Sequence, residues 1–319
     1  MHVATKRNFC VLFFLICGFA CSGDRQARIS RVENGLMSPV RVKGDKGWNI
    51  LDRMKFYNVP GVGVAVFHNH RVVWSKGYGV ADVETGDPVT EKTIFVAGSV
   101  SKPVAVMGAL RLVQEGRLSF DKDINTYLVS WKLPENEFTR SEKVTLRRIM
   151  SHSAGLTVLG FLGYVAGRPV PTLVQILDGE SPANSAPIRV DTVPGTIWRY
   201  SGGGTMIMQQ AMIDVEHTLF PELMESKVLR PLGMTSSSYE QDMSPGRLRL
   251  AASGHSDGKV IEGKRYRQPE LAAAGLWTTA ADLAKFAIEV ERSAAGKSKK
   301  VLLPETARTL RRKIPGFRG

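Results

Sequence analysis

Runs of apolar residues predict a β-hairpin near the start of the main body of the chain. Residues 61–68 read Gly-Val-Gly-Val-Ala-Val-Phe-His, a β-branched and apolar run that is typical of a buried strand. Asn69 and His70 follow as a turn, and residues 72–78 return as a second strand. The pattern therefore predicts two neighbouring strands joined by a tight turn.

A stretch of helical periodicity follows residues 95–102. Val106, Leu110 and Val113 recur at helical spacing, which predicts an apolar helix that runs to about residue 115. Gly116 comes directly after it, where glycine commonly ends a helix.

The remaining pattern predicts a mixed α/β chain. Up to about residue 228 it is mostly helical and loop-like, with short helices at 144–152 and 205–214. Further on, two short strands flank Asp257-Gly258, a hairpin signal. The last predicted helix, at 279–293, has Thr279 as a possible N-cap.

Composition places the chain among globular proteins. Of its 319 residues, 43% are hydrophobic and 23% are charged, which suits one large domain or two ordinary ones. No run of 18 apolar residues occurs, so no membrane-spanning helix is predicted. The net charge of +13 is not accompanied by a nucleic-acid-binding motif. We therefore expect no nucleic-acid partner, and a basic surface that tolerates anionic polymers or lipid head groups.

The first twenty residues predict export. Lys6 and Arg7 precede an apolar run at 9–20, which is the pattern of a secretory signal peptide over residues 1–20. The three cysteines lie in or just after this segment, at Cys10, Cys17 and Cys21. The body beyond them therefore offers no disulfide, thiolate metal site or cysteine nucleophile.

Cys21 stands where cleavage is expected, directly after Ala20. Two interpretations are open: an acylated lipoprotein cysteine that anchors the chain to a membrane, or a small residue in an ordinary signal. We accordingly expect a periplasmic protein or a membrane-anchored lipoprotein. Residues 21–50 are polar and without periodicity, which predicts a tether ahead of one domain over residues 51–319.

Ser99 and Lys102 are the candidate catalytic residues. Three positions apart on a helix, they would share one face and lie within reach of each other. A serine hydroxyl becomes a strong nucleophile only when a base removes its proton, and a buried lysine amine can serve. The same spacing occurs at Ser119 and at Ser256, but only Ser99 opens a long apolar helix.

Several further segments resemble the serine β-lactamase, penicillin-binding protein and class C-like esterase superfamily. The resemblance runs from about residue 56 to about residue 312, nearly the whole predicted domain. The matching segments, in family order, are residues 59–66, 95–104, 112–121, 149–156, 193–204, 231–237 and 273–286. The resemblance implies a β-lactamase/transpeptidase-like α/β fold, in which a helical region packs on an antiparallel sheet.

The resemblance also implies roles for single residues. Ser99 matches the acylated nucleophile, and Lys102 matches the lysine that exchanges its proton. Tyr200, in Trp-Arg-Tyr-Ser-Gly, matches the tyrosine that helps to move the proton to the leaving group, and Gly202 is a candidate contact to substrate. His152 invites a triad with Ser99, but the family places its segment beneath the site as structure.

No metal or cofactor is predicted. The five histidines other than His152 have no metal-ligand spacing, and His68 and His70 lack a third ligand nearby. The resemblance implies no cofactor either. The predicted partner is a small-molecule ester, amide or peptide substrate.

Two family motifs are missing from the sequence. No Tyr-x-Asn occurs, because Tyr200 is followed by Ser201-Gly202, which disfavours β-lactam hydrolysis and favours an esterase- or peptidase-like branch. No Lys-[Ser/Thr]-Gly or His-x-Gly occurs either, and the family would begin its last strands where the sequence ends. We therefore expect an unpaired edge on the hairpin at 61–78, with lower activity and stability than in intact relatives.

These observations predict an exported serine hydrolase that forms an acyl-enzyme on an ester or amide. A non-catalytic, truncated relative that at most binds cell-wall peptides is the alternative. A disrupted gene whose product folds poorly is a third possibility.

Overall fold

The computed structural model of the chain describes residues 25–310. The helices are α1 (25–33), α2 (Ile50–Phe56), α3 (Ser101–Gln114), α4 (Leu146–Met150), α5 (Leu173–Asp178), α6 (Gly202–Glu216), α7 (Phe220–Met224), α8 (Arg230–Leu232), α9 (Pro245–Leu248), α10 (Leu271–Ala274), α11 (Ala280–Ala294) and α12 (Pro304–Thr309). The strands are β1 (Gly61–His68), β2 (Arg71–Gly79), β3 (Phe95–Val96), β4 (Tyr164–Val165), β5 (His255–Ser256), β6 (Lys259–Val260), β7 (Tyr266–Arg267) and β8 (Trp277–Thr278). Single 3₁₀ turns cover Gly98–Val100, Ile124–Thr126 and Glu137–Thr139, and a π-helical turn covers Glu225–Leu229.

The predicted hairpin is confirmed. Strands β1 and β2 pair antiparallel, with Val62 opposite Tyr78. Asn69 and His70 both adopt the left-handed backbone that a tight two-residue turn requires, at φ of 49° and 60°. Within the described residues β1 pairs with β2 alone, so its other edge has no strand partner there.

Short antiparallel ladders fasten the remaining strands. They join β3 to β8, β4 to β7 and β5 to β6. Helix α11 covers one face of the hairpin, because Gly63 of β1 brings the backbone close to Phe95 and Ala280. The predicted N-cap is also confirmed: the Thr279 hydroxyl accepts a hydrogen bond from the Asp282 N–H at 3.2 Å.

The main core surrounds α3. Val104, Ala105, Met107, Leu110 and Leu112 of this helix are all buried, on several of its sides, as expected for a helix in the interior. α6 and α10 pack against it, and both are largely buried. The N-terminal turn of α3 is consequently fixed from several directions.

Part of the segment predicted as a polar tether is helical. In α1, Ile29 and Glu33 are four residues apart and so share one face, and Ile29 is buried. The Glu33 carboxylate accepts hydrogen bonds from Lys76 Nζ at 2.6 Å and from the Tyr78 hydroxyl at 3.0 Å, both on β2. The many charged residues of this segment predicted a solvated tether, so the sequence did not indicate that one face of α1 packs against β2. Residues 1–20 and Cys21 lie outside the described residues.

We expect Gly77→Ala to weaken the hairpin region. A Cβ at Gly77 would stand 2.2 Å from the backbone oxygen of Val89, which cannot yield without moving the chain. The substitution should lower the free energy of unfolding by about 1–3 kcal/mol. Gly246→Ala is the control, since its Cβ would meet nothing nearer than 3.9 Å. Equal thermal unfolding midpoints for the two variants would contradict the expectation.

Candidate active site

Ser99 lies on a tight turn between β3 and α3. Gly98 precedes it with φ of +51°, a conformation that glycine adopts without strain, and the 3₁₀ turn Gly98–Val100 leads directly into the helix. The Ala97 N–H donates to Leu276 O at 2.7 Å, which fixes the entry to this turn. Ser99 itself is exposed, so a substrate can reach its hydroxyl.

Lys102 lies in the first turn of α3 and is buried, with 8% of its surface exposed. Its Nζ donates to Ser99 Oγ at 3.1 Å and to the backbone oxygen of Ala273, on α10, at 2.8 Å. The predicted i, i+3 contact between hydroxyl and amine is therefore present in the structure. This is the distance that proton transfer between a nucleophile and a base requires.

Tyr200 completes the cluster from the segment before α6. Lys102 Nζ lies 5.1 Å from the centre of the Tyr200 ring, a cation–π contact. The structure thus brings together three residues predicted from separate parts of the sequence. It places them where α3, α10 and the start of α6 meet.

Gly202, the candidate contact to substrate, lies beside Tyr200 at the first position of α6. It is buried at the start of α6, and its N–H already donates to Leu159 O at 3.0 Å. A Cβ there would stand 3.0 Å from that oxygen and 3.1 Å from Phe161. Gly202 therefore packs against the 157–161 loop, and its contact to substrate stays a prediction.

His152 contacts Tyr200 and not Ser99. The two rings lie 4.4 Å apart and tilted by 39°, and Trp198 packs edge-on against the imidazole at 6.2 Å. Among the described residues no hydrogen bond joins His152 to Ser99. Burial, with Lys102 nearby, lowers the pKa of His152 to about 4, so the ring is neutral near pH 7.

The model of one protein family matches residues 49–318 of the chain, and this family is described as Beta-lactamase. The chain belongs to the Beta-lactamase family. It is 30% identical over 147 residues to esterase EstB of Burkholderia gladioli, a match that covers 43% of this chain and 37% of EstB. It is 26% identical over 266 residues to penicillin-binding protein 4 of Amycolatopsis lactamdurans, covering 82% of this chain and 67% of that protein.

A solved structure agrees with this assignment. The octameric penicillin-binding protein homologue from Pyrococcus abyssi superposes with a TM-score of 0.65 at 25% identity, over 84% of this chain and 60% of that one. The predicted β-lactamase/transpeptidase-like α/β fold is therefore confirmed. The match spans only 37% of the length of EstB.

Buried polar groups that the sequence did not reveal support the family's site. Ser101 Oγ accepts from the Leu276 N–H at 3.0 Å, and the Tyr239 hydroxyl donates to Ser101 O at 2.9 Å. Gln209 of α6 accepts from the Ala272 N–H at 2.8 Å and so ties α6 to α10. One feature of the sequence could have indicated this contact: Gln209 stands within the apolar run of α6, and a buried side-chain amide needs a hydrogen-bond partner.

The other two Ser-x-x-Lys sequences are not sites. Ser119 Oγ caps a turn by accepting from the Asp121 N–H. Ser256 and Lys259 face each other across the β5–β6 hairpin. Within residues 25–310 no cluster of three or more His, Cys, Asp or Glu side chains could hold a metal ion. No described helix is both long and apolar enough to cross a membrane.

Glu270 is a fully buried carboxyl directly before α10. Neither of its oxygens has a hydrogen-bond partner of good geometry among the described residues. Burial raises the pKa of Glu270 to about 7. α10 is thus preceded by a carboxyl group whose surroundings favour its neutral form.

Glu270→Gln should make stability less dependent on pH. The folded protein holds a proton on Glu270 between about pH 4.5, where the unfolded group titrates, and about pH 7, so stability falls as pH rises through this window. Glutamine keeps the shape without ionising. At pH 8 the variant should be more stable than the native chain by roughly 2–3 kcal/mol, and at pH 4 the two should nearly coincide.

Urea unfolding at both pH values measures this difference. Glu240→Gln is the matched control, because this carboxyl is exposed and should change little at either pH. A Glu270→Gln variant that is equally stable at pH 8, or less stable than the native chain there, would contradict the expectation.

Proposed function

We propose that this chain hydrolyses a small ester or amide through an acyl-enzyme on Ser99. One observation supports this above all: the buried Lys102 amine lies 3.1 Å from an exposed Ser99 hydroxyl, with the Tyr200 ring beside it. Serine hydrolysis is the family's chemistry, and the pairing of nucleophile and base is what that chemistry requires.

The proposed steps combine the Ser99–Lys102 geometry with the role that the family resemblance implies for Tyr200. Ser99 Oγ attacks the substrate carbonyl carbon while its proton passes to Lys102 Nζ, which must be neutral at that moment. The tetrahedral intermediate then collapses, the C–O or C–N bond breaks, and the leaving group takes a proton by way of Tyr200. Water then attacks the resulting ester on Ser99 and gives one of its protons, by way of Lys102 Nζ, to Ser99 Oγ as the acid is released.

Charge on the carbonyl oxygen needs hydrogen-bond donors. The Ser99 N–H has no acceptor among the described residues, and it lies at the N-terminal end of α3, where the helix dipole favours negative charge. The sequence contains no Lys-[Ser/Thr]-Gly or His-x-Gly to supply a second donor. One such donor contributes about a hundredfold to a thousandfold in rate, so we propose that the rate depends strongly on the Ser99 N–H.

An ester is the favoured substrate. Ser201 and Gly202 occupy the positions where a Tyr-x-Asn motif would place a side-chain amide, and Gly202 is buried in packing. EstB is named an esterase, and its match covers 43% of this chain. A non-catalytic chain that only binds cell-wall peptides is the alternative, and the absent third motif is the observation that favours it.

A fluorescent alkyl fluorophosphonate tests the proposal, since it labels an activated serine without requiring turnover. We expect label on Ser99, found by digestion and mass spectrometry, and none in Ser99→Ala. Lys102→Ala should slow labelling about a hundredfold because the hydroxyl loses its base. Ser119→Ala is the matched control and should label like the native chain.

The non-catalytic alternative predicts no label in any variant. Label that persists in Ser99→Ala would contradict the assignment of the nucleophile. Hydrolysis of p-nitrophenyl acetate by the native chain, lost in Ser99→Ala, would establish turnover.

We also propose that the chain is exported, on the strength of the Lys6-Arg7 start and the apolar run at 9–20. Cells that express the full chain should release a shortened protein to the periplasmic or membrane fraction. Palmitate incorporation that disappears in Cys21→Ser, but not in Cys17→Ser, would show a lipoprotein. Full-length protein in the cytosol would contradict export.

A further inference from the structure

Tyr200 is held from both sides by one residue. The Arg199 N–H donates to the backbone oxygen of His152 at 2.8 Å, and the Ser201 N–H donates to His152 Nδ1 at 3.2 Å. Between these two bonds, the Tyr200 ring stacks against the imidazole at 4.4 Å. The peptide units before and after the tyrosine are thus both fastened to His152.

The two residues that flank Tyr200, Arg199 and Ser201, are also held by contacts to other parts of the chain. Ser201 is the N-cap of α6: its hydroxyl donates to Thr157 O at 2.7 Å and accepts from the Gly204 N–H at 3.0 Å. The Arg199 guanidinium forms a double hydrogen bond with the Asp191 carboxylate. Little freedom remains for Tyr200 except through the His152 contacts.

His152 can perform this task only as a neutral ring. Nδ1 must accept from the Ser201 N–H, so the single ring proton lies on Nε2, whereas an imidazolium has no acceptor. Lys102 and Tyr200 are the titratable groups that face the ring, and Trp198 closes another side. The cation of Lys102 and the buried surroundings both oppose a second proton on the imidazole.

The backbone at His152 is adapted to this position. Its φ is +56°, a left-handed conformation that is uncommon for non-glycine residues and that histidine, like asparagine and aspartate, adopts more often than most. The conformation turns the chain sharply after α4, so that ring and carbonyl oxygen both face residues 199–201. A residue that served as packing alone would not need an acceptor at Nδ1.

We propose that His152 is the positioning residue that sets the Tyr200 phenol relative to Lys102 and Ser99, and that it acts as a neutral hydrogen-bond acceptor. The proposal rests on the proposed function, because the phenol matters only if protons move between these groups. His152 itself touches neither substrate nor the reacting atoms.

Two amide variants test the acceptor. In His152→Asn the Oδ1 atom can take the place of Nδ1, and asparagine tolerates the left-handed backbone. In His152→Gln the amide lies one carbon further out and misses that place. We expect fluorophosphonate labelling of Ser99 to stay within about threefold of native in His152→Asn and to fall at least tenfold in His152→Gln. Equal rates for the two variants would overturn the proposal.

A double-variant cycle tests whether His152 acts through Tyr200. If it does, positioning no longer matters once the phenol hydroxyl is gone, so His152→Gln combined with Tyr200→Phe should label no more slowly than Tyr200→Phe alone. A general structural role would instead multiply the two losses, and this result would also overturn the proposal.

His217→Gln controls for backbone strain, because His217 has φ of +52° at the far end of α6 and makes no contact to the site. It should label at the native rate. A native chain that does not label at all defeats the proposed function, and this proposal with it. If the native chain labels but the losses of the two single variants multiply in the double variant, only the role of His152 is contradicted.

Discussion

The arrangement of the site depends on the hydrogen bonds that the buried amine of Lys102 makes. Lys102 is 8% exposed, and a charged amine in such a place is costly unless its hydrogen bonds are made. Two of its three donors are occupied, by Ser99 Oγ within its own helical turn and by Ala273 O from α10. The requirement to supply that second acceptor fixes α10 against α3, and α10 in turn is held to α6 through Gln209. The contacts that stabilise the amine are therefore the ones that assemble the site.

The sequence predicted correctly those elements that depend on residues close together in the chain. The β1–β2 hairpin follows from a β-branched run and a turn whose residues accept positive φ, and α3 from apolar spacing that ends at Gly116. Ser99 and Lys102 were identifiable because three positions on a helix fix their distance regardless of the rest of the fold. Tyr200 was found only through resemblance, since nothing near it in the sequence indicates that it meets α3.

The sequence was least informative where distant segments meet at backbone distance. Gly202 packs against the 157–161 loop, more than forty residues earlier in the chain, and no local pattern predicts that contact. The carboxyl of Glu33 resembled one more solvated charge, but it accepts from Lys76 and Tyr78, more than forty residues away. The two contacts of His152 to residues 199 and 201 depend on a left-handed turn that no pattern in the sequence indicated.

The half-buried His152 and the buried Glu270 have pKa values that are shifted in opposite directions. His152 has a folded-state pKa below that of the free imidazole, so its contribution to stability is lost as pH falls from about 6.5 toward 4. Glu270 has a raised pKa, so its contribution is lost as pH rises from about 4.5 toward 7. Between about pH 4.5 and 6.5 the unfolded chain is protonated on His152 and the folded chain is protonated on Glu270. The two groups therefore change the free energy of unfolding with pH in opposite directions. Both groups are then neutral in the folded state, which is the state in which His152 can accept from Ser201 and Glu270 can remain buried. In mildly acidic solution both groups therefore remain neutral, and outside that range either the His152 ring or the Glu270 carboxyl becomes charged.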